Sequence, residues 1–306
     1  MELTFRDLVV VDELGNRVAV RDFPDNGPAV LLLHGAGLNL ASWDSLIRLL
    51  PDRFHVVAID LLGHGASDTP AEFCIEADLA AVSAVIAKLS LENPALIGHS
   101  YGGMIAVQYA IDHPGCPIAV NIDGTSNGLI EHYAGKTADE VRAYWQQSEE
   151  AIQSAPSVEV TGPTSWRDAE IAKAPQLADA LGFDLETVTA MTERTFQSIG
   201  GDQWEARPLP EFSADLMRKL DSFEPYELYH QAHSPTVLVL ATRDPAAGGV
   251  EADFQRAHRI GLGAALENLM RDHPELQLRR IDSAHLVPLE NPSALAELMV
   301  DLLDGR

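Results

Sequence analysis

The chain has 306 residues, 46% of them hydrophobic, enough for a large core in one domain with an insertion or in two. Its formal net charge of -25 argues against nucleic acid and anionic membrane as partners, because phosphates would be repelled. An acidic substrate would meet the same long-range repulsion, so a neutral or weakly polar small molecule is the expected partner.

The two cysteines, Cys74 and Cys116, cannot build a disulfide framework, and no Cys-x-x-Cys spacing is present. A reducing cytoplasm fits this usage. The opening stretch from Met1 to Asp7 is charged and lacks the basic-then-apolar order of a signal peptide. Apolar runs such as Ala29 to Leu33 are too short to span a bilayer. The composition leaves the oligomeric state open.

Two β-rich runs, Leu8 to Val11 and Arg17 to Val20, flank a Gly15-Asn16 turn and predict an antiparallel hairpin. Ala29 to Leu33 has no polar alternation, which suits a strand buried on both faces. It ends at His34-Gly35-Ala36-Gly37. A helix is expected over Trp43 to Leu50, a buried strand over Phe54 to Ile59, and a glycine-rich loop over Asp60 to Asp68. Cys74 to Leu89 is helical. Ala95 to Ile97 is the next strand, with a helix from about Tyr101 to Ile111. Pro117 to Ile122 forms another strand, ending at Asp123-Gly124.

After Gly124 the strand–helix rhythm breaks. From about Thr125 to His233 no convincing strand pair is visible. Helices are expected over Asp139 to Ile152, Arg167 to Leu181, Leu185 to Phe196 and Ser213 to Tyr229. Most of the aromatic residues lie in this segment, which reads as a helical lid over 125–233, inserted into a core of 1–124 and 234–306. The core resumes with a strand at Thr236 to Ala241, a helix over about Glu251 to Arg271, a strand at Leu276 to Ile281 and a closing helix from Ser293 to Leu303. Continuous apolar strands alternating with helices predict an α/β protein with a mostly parallel sheet.

The chemistry centres on Gly98-His99-Ser100-Tyr101-Gly102. A nucleophile at the tip of a sharp strand-to-helix turn leaves no room for side chains two residues to either side, and glycine removes the collision. Ser100 would then project its hydroxyl at the top of the sheet, at a helix N-terminus that favours negative charge. A serine hydroxyl needs a base, and the base needs a carboxylate to fix its tautomer. Of eleven histidines, His285 is the best placed, in a loop just past the last strand. Two aspartates compete to hold it. Asp244 follows a fully apolar strand and is the expected acid; Asp123, also just past a strand, is the rival. Oxyanion stabilisation needs two amides, for which Tyr101 and Ala36 are the candidates.

His230 and His233 share one helix face, but the further ligands of a zinc site are missing, so no metal is expected. Neither Gly-x-Gly-x-x-Gly nor a Walker lysine appears. His34, His64 and His99 are read as hydrogen-bonded scaffold beside the site.

The order Ser100, Asp244, His285, with His34-Gly35-Ala36-Gly37, the Asp60 to Asp68 loop and the Ser100 turn, resembles the α/β-hydrolase superfamily, in its lid-bearing branch of esterases, lactonases and carbon–carbon hydrolases. The resemblance covers nearly the whole chain except the lid. It implies a largely parallel eight-stranded sheet flanked by helices, a triad of the three residues named, and no cofactor. Serine at position 100 separates the chain from dehalogenases and epoxide hydrolases, which carry aspartate there. The expected activity is cleavage of a carboxylic ester or lactone of a small to medium, largely apolar substrate through an acyl-enzyme on Ser100. Gly35, Gly37, Leu38 and Leu286 are expected to line the substrate site. The alternatives are a carbon–carbon hydrolase or lyase using His285 as base, and a non-catalytic small-molecule receptor.

Overall fold

The computed structural model describes residues 4–125, 129–153, 159–221, 225–243 and 249–304. The chain opens with β1 (Arg6–Val11) and β2 (Arg17–Phe23), an antiparallel hairpin turned at Gly15. β3 (Ala29–Leu33) follows, then a 3-10 turn (Leu40–Trp43) and the short α1 (Asp44–Ile47). β4 (His55–Ile59), α2 (Ile75–Leu89), β5 (Ala95–His99), α3 (Tyr101–Asp112) and β6 (Ala119–Ile122) complete the first half of the sheet.

Between β6 and the next strand of that sheet come α4 (Ala138–Gln153), β7 (Thr161–Pro163), α5 (Thr164–Ile171), α6 (Ala174–Leu181), α7 (Leu185–Thr195), β8 (Phe196–Gly200), β9 (Gln203–Ala206), α8 (Pro210–Asp221) and α9 (Pro225–Tyr229). The chain then returns with β10 (Thr236–Ala241), α10 (Val250–Leu269), β11 (Leu276–Ile281), α11 (Val287–Glu290) and α12 (Pro292–Asp304).

Among the described residues, eight strands form one sheet in the order β1-β2-β4-β3-β5-β6-β10-β11. Only the β1–β2 and β2–β4 pairs are antiparallel. The parallel strands β4, β3, β5, β6, β10 and β11 therefore all end at one edge. Their side chains alternate between two cores. Leu31, Leu33, Val57, Ile59 and Leu96 face α2, α3 and α10, while Val30, Leu32, Val56, Ala58 and Ile97 face α1 and α12. Burial on both faces is why these runs carry no polar alternation. Each such Val, Leu or Ile contributes roughly 1.5–3 kcal/mol.

The intervening segment corrects the sequence reading in two ways. It contains a three-stranded antiparallel sheet, β7-β9-β8, where no strand pair was expected. The signal was present in Gly200-Gly201, which take left-handed φ of 107° and 60° and turn the β8–β9 hairpin. The single helix expected over Arg167 to Leu181 is two, and Pro175 sits in the first turn of α6, where a missing amide is tolerated. Of the helix expected over Ser213 to Tyr229, residues 222–224 lie outside the described residues.

This segment is tied to the core by polar contacts. The Arg194 guanidinium on α7 donates to buried Asp60 at 2.8 Å, Asn39 Nδ2 donates to Met191 O at 2.9 Å, and Ser45 bonds Thr187 at 2.7 Å. Phe212 on α8 packs edge-on against His64. No described helix is long and apolar enough to cross a membrane.

Candidate active site

Ser100 stands between the last residue of β5 and the first of α3, with φ 52° and ψ -120°. That left-handed φ is rare for a residue with a Cβ and reflects a strained turn held by its surroundings. Ser100 N donates to Ile122 O at 2.8 Å, which pins the turn to the end of β6. The glycines are required by contact. A Cβ on Gly98 would lie 2.0 Å from Gly102 O, and one on Gly102 would lie 2.2 Å from Leu33 O. The steric reading of the motif therefore holds in three dimensions.

The loop after β11 brings His285 to the same edge. His285 Nε2 lies 3.1 Å from Ser100 Oγ, and Nδ1 lies 2.8 Å from Asp123 Oδ2. Asp123 follows β6, next to β5 in the sheet. Its other oxygen accepts the Ala241 amide at the end of β10, at 2.9 Å, and its own amide donates to Val239 O at 2.7 Å. Asp123 also has a left-handed φ, 51°. Asn121 clamps the following turn, accepting from Gly124 N and donating to Gly124 O. The carboxylate is thus fixed from three sides before it meets the imidazole.

The rival candidate thus meets the imidazole. Asp123 is on His285 Nδ1; Asp244, the expected acid, lies outside the described residues. The sequence shows that both aspartates follow strands; the loop after β6 is the one seen to carry its aspartate to the imidazole.

A carboxylate can only accept, so Nδ1 carries the proton and Nε2 presents its lone pair to the Ser100 hydroxyl. The His285 loop is itself held. Glu290 on α11 accepts from Ala284 N at 2.8 Å and Leu286 N at 3.3 Å, and His99 Nε2 donates to His285 O at 2.8 Å.

The three scaffold histidines are neutral by burial. Loss of water lowers His34 to about 4 and lowers His64 and His99 each to about 3. His34 Nδ1 donates to Gly35 O and its Nε2 accepts from Leu61 N, while His64 Nε2 accepts the Gly37 amide at 3.1 Å. These bonds fix the turn that carries Ala36. Ala36 lines the same cavity as Ser100. Tyr101 is the first residue of α3, whose leading amides have no acceptor within the helix. Tyr101 is anchored through its hydroxyl, which donates to buried Asp78.

The cavity beside Ser100 has a volume of about 450 Å³. Ala36, Met104, Met217, Leu220, Leu240 and Leu262 give it apolar walls, and Tyr133, Tyr144, Gln255, His258, Arg243 and Arg259 give it polar ones. None of the four residues expected to line it does so. Gly35 packs beneath His99 and the Ser100 Cβ. Gly37 is exposed at the turn and Leu38 bonds back to Gly35 O. Leu286 caps α11. Sequence reasoning looked near the motifs, whereas much of the lining comes from α10. Gln255, His258, Arg259 and Leu262 recur at helical spacing along one face, and that spacing was the available signal.

The first curated relatives are uncharacterized mycobacterial proteins, 41% identical over 90 residues; this chain spans 26% of their length. The magnesium-chelatase 30 kDa subunit of Rhodobacter capsulatus is 28% identical over 92% of this chain and 89% of its own. Among solved structures, E-2-(acetamidomethylene)succinate hydrolase superposes with a TM-score of 0.70 at 21% identity, covering 98% of this chain and all of that one. The enol-lactonase of Burkholderia xenovorans superposes with a TM-score of 0.62 at 17% identity, over 97% of this chain and 100% of its own. Residues 30–298 match the profile of the alpha/beta hydrolase family, and with the sheet order and the strained Ser100 turn already described, the chain belongs to that family.

Proposed function

We propose that the chain hydrolyses a carboxylic ester or lactone through an acyl-enzyme on Ser100. The observation that carries this reading is the continuous hydrogen-bonded path from Ser100 through His285 to Asp123. His285 takes the hydroxyl proton as Oγ attacks the carbonyl carbon, and Asp123 stabilises the imidazolium that results. The amides of Tyr101 and Ala36 receive the oxyanion. His285 then returns the proton to the departing alcohol, and a water activated by the same imidazole releases the acid.

Residues 125–233 act in this reading as a lid that shapes an apolar-walled cavity over a small molecule. An enol-lactonase and a succinate-derivative hydrolase share this scaffold, which is consistent with acyl chemistry on it. The test is covalent labelling. A fluorophosphonate should modify the chain stoichiometrically at Ser100 and abolish turnover of p-nitrophenyl butyrate; a folded chain that takes up no label and cleaves no ester or lactone would end the proposal.

A further inference from the structure

Asp78 is a buried acid that the reaction described above does not use. It stands in the first turn of α2 beside exposed Glu76, where the helix N-terminus favours acid without requiring that it be buried. Asp78 is nevertheless only 1% exposed, and no Lys or Arg pairs with it among the described residues. Burial raises its carboxyl to about 6, so at neutral pH it is chiefly a carboxylate and can only accept. A buried charge is costly unless it is hydrogen-bonded, and both oxygens are engaged. Oδ1 accepts the Leu62 amide at 3.0 Å, and Oδ2 accepts the Tyr101 hydroxyl.

Those two bonds lead to the two amides assigned to the oxyanion. Tyr101 carries one of them, as the first residue of α3, and its ring meets Phe73 edge-on at 5.5 Å. Leu62 leads to the other. Its carbonyl accepts from His64 Nδ1 at 2.9 Å, and His64 Nε2 accepts the Gly37 amide at 3.1 Å, next to Ala36. His64 must be neutral to serve both, and its burial keeps it so. On the other flank of Ala36, Gly35 O accepts from His34 Nδ1, and His34 Nε2 accepts from Leu61 N, the neighbour of Leu62. The turn that carries Ala36 is therefore bonded on both flanks to the segment that Asp78 holds. We propose, resting on the reading of Ser100 as an acyl-transfer nucleophile, that Asp78 is a positioning residue for the oxyanion hole, its two oxygens setting the spacing of the Tyr101 and Ala36 amides. Such donors act only within about 2.7–3.1 Å of the developing charge, so a small displacement of either costs rate more than substrate binding.

A pair of ketones reads the hole directly. With an alkyl trifluoromethyl ketone, Ser100 Oγ adds to the carbonyl carbon and His285 takes the proton, which leaves an anionic oxygen between the two amides. The methyl ketone of the same chain binds largely without addition. Tyr101→Phe removes the hydroxyl and keeps the ring and the amide; Asp78→Leu keeps the volume and removes both acceptors. Each should lower kcat on p-nitrophenyl butyrate about tenfold or more, with KM changed less than about threefold. Each should also weaken the trifluoromethyl ketone about tenfold relative to the methyl ketone, a ratio that a mere loss of stability would not move. The double variant should fall within about threefold of the worse single one, because both changes break the same bond. Should Asp78→Leu fail to fold, Tyr101→Phe decides the matter alone. An inhibitor ratio within about threefold of that of the unaltered chain overturns the positioning role, whatever happens to kcat, and leaves the ester hydrolase intact. An unaltered chain that cleaves no ester or lactone, with Ser100 unlabelled by fluorophosphonate, overturns the hydrolytic reading and this one with it.

Discussion

Asp123 Oδ2 lies 2.8 Å from His285 Nδ1, although 162 positions separate the two residues. The contact forms because β6 and β11 flank β10 in one parallel sheet and deliver their following loops to the same edge. In the proposed mechanism it makes Asp123 the partner of the base. Asp123→Asn should keep the geometry but present the wrong tautomer, lowering kcat on p-nitrophenyl butyrate about 10⁴-fold. Asp244→Asn should cost less than about tenfold, because the Nδ1 proton already has its acceptor. Steady-state kinetics on both variants settle the assignment; the opposite ranking would return Asp244 to the triad.

The Ser100 turn is limited by backbone contact, so its glycines should be intolerant in a graded way. Gly98→Ala places a methyl 2.0 Å from Gly102 O and should destabilise by about 3 kcal/mol or more. Gly115→Ala, whose added Cβ meets nothing closer than 3.7 Å, should stay within about 1 kcal/mol. Urea unfolding of the pair makes the comparison, and equal midpoints would contradict the steric account.

Asp60 is fully buried, and burial raises its pKa while Arg194 and the Leu40 and Ala66 amides hold it ionised. Arg194→Met would leave an uncompensated charge in the core, with an expected loss of about 3–5 kcal/mol. The double variant Arg194→Met with Asp60→Asn should recover part of that loss, since the charge is removed with its partner. A double variant no more stable than Arg194→Met alone would mean that the arginine acts through packing.

Stability should fall on mild acidification. In the unfolded chain His34, His64 and His99 titrate near ~6.5, whereas in the fold burial holds them at about 4, 3 and 3. Between those values the unfolded state binds more protons, so unfolding becomes easier as pH drops below about 6.5, by up to ~1.4 kcal/mol per unit for each ring. Asp78 has the opposite sign. Burial lifts its carboxyl to about 6, so below that pH the folded state gains a proton first and offsets one histidine. The steepest loss is therefore expected just below pH 6.5. Calorimetry in about 0.5 M salt, which screens the surface charge, should show Tm falling from pH 7 to pH 5.5, and a flat or rising Tm would refute the neutral buried histidines.

Local pattern determined a good deal on its own. The apolar runs at Ala29 to Leu33 and Thr236 to Ala241, the Gly98-x-Ser100-x-Gly102 turn and the place of His285 after the last strand depend on neighbours along the chain, and the structure has them as read. The meeting of Ser100 and His285 was legible because each sits past a strand end, and a parallel sheet sends every such end to one edge. The contact of Asp123 with His285 was not legible, because it depends on β6 and β11 sending their loops to one edge of the sheet, and sheet order is not a local property. The lining of the cavity was hidden for the same reason. Arg259, His258 and Gln255 share a helix face that could be read, but only the packing of α10 against the sheet turns that face toward Ser100. Side-chain identity and spacing specify chemistry that can occur, and long-range packing of α10, β6 and β10 decides which of those side chains meet.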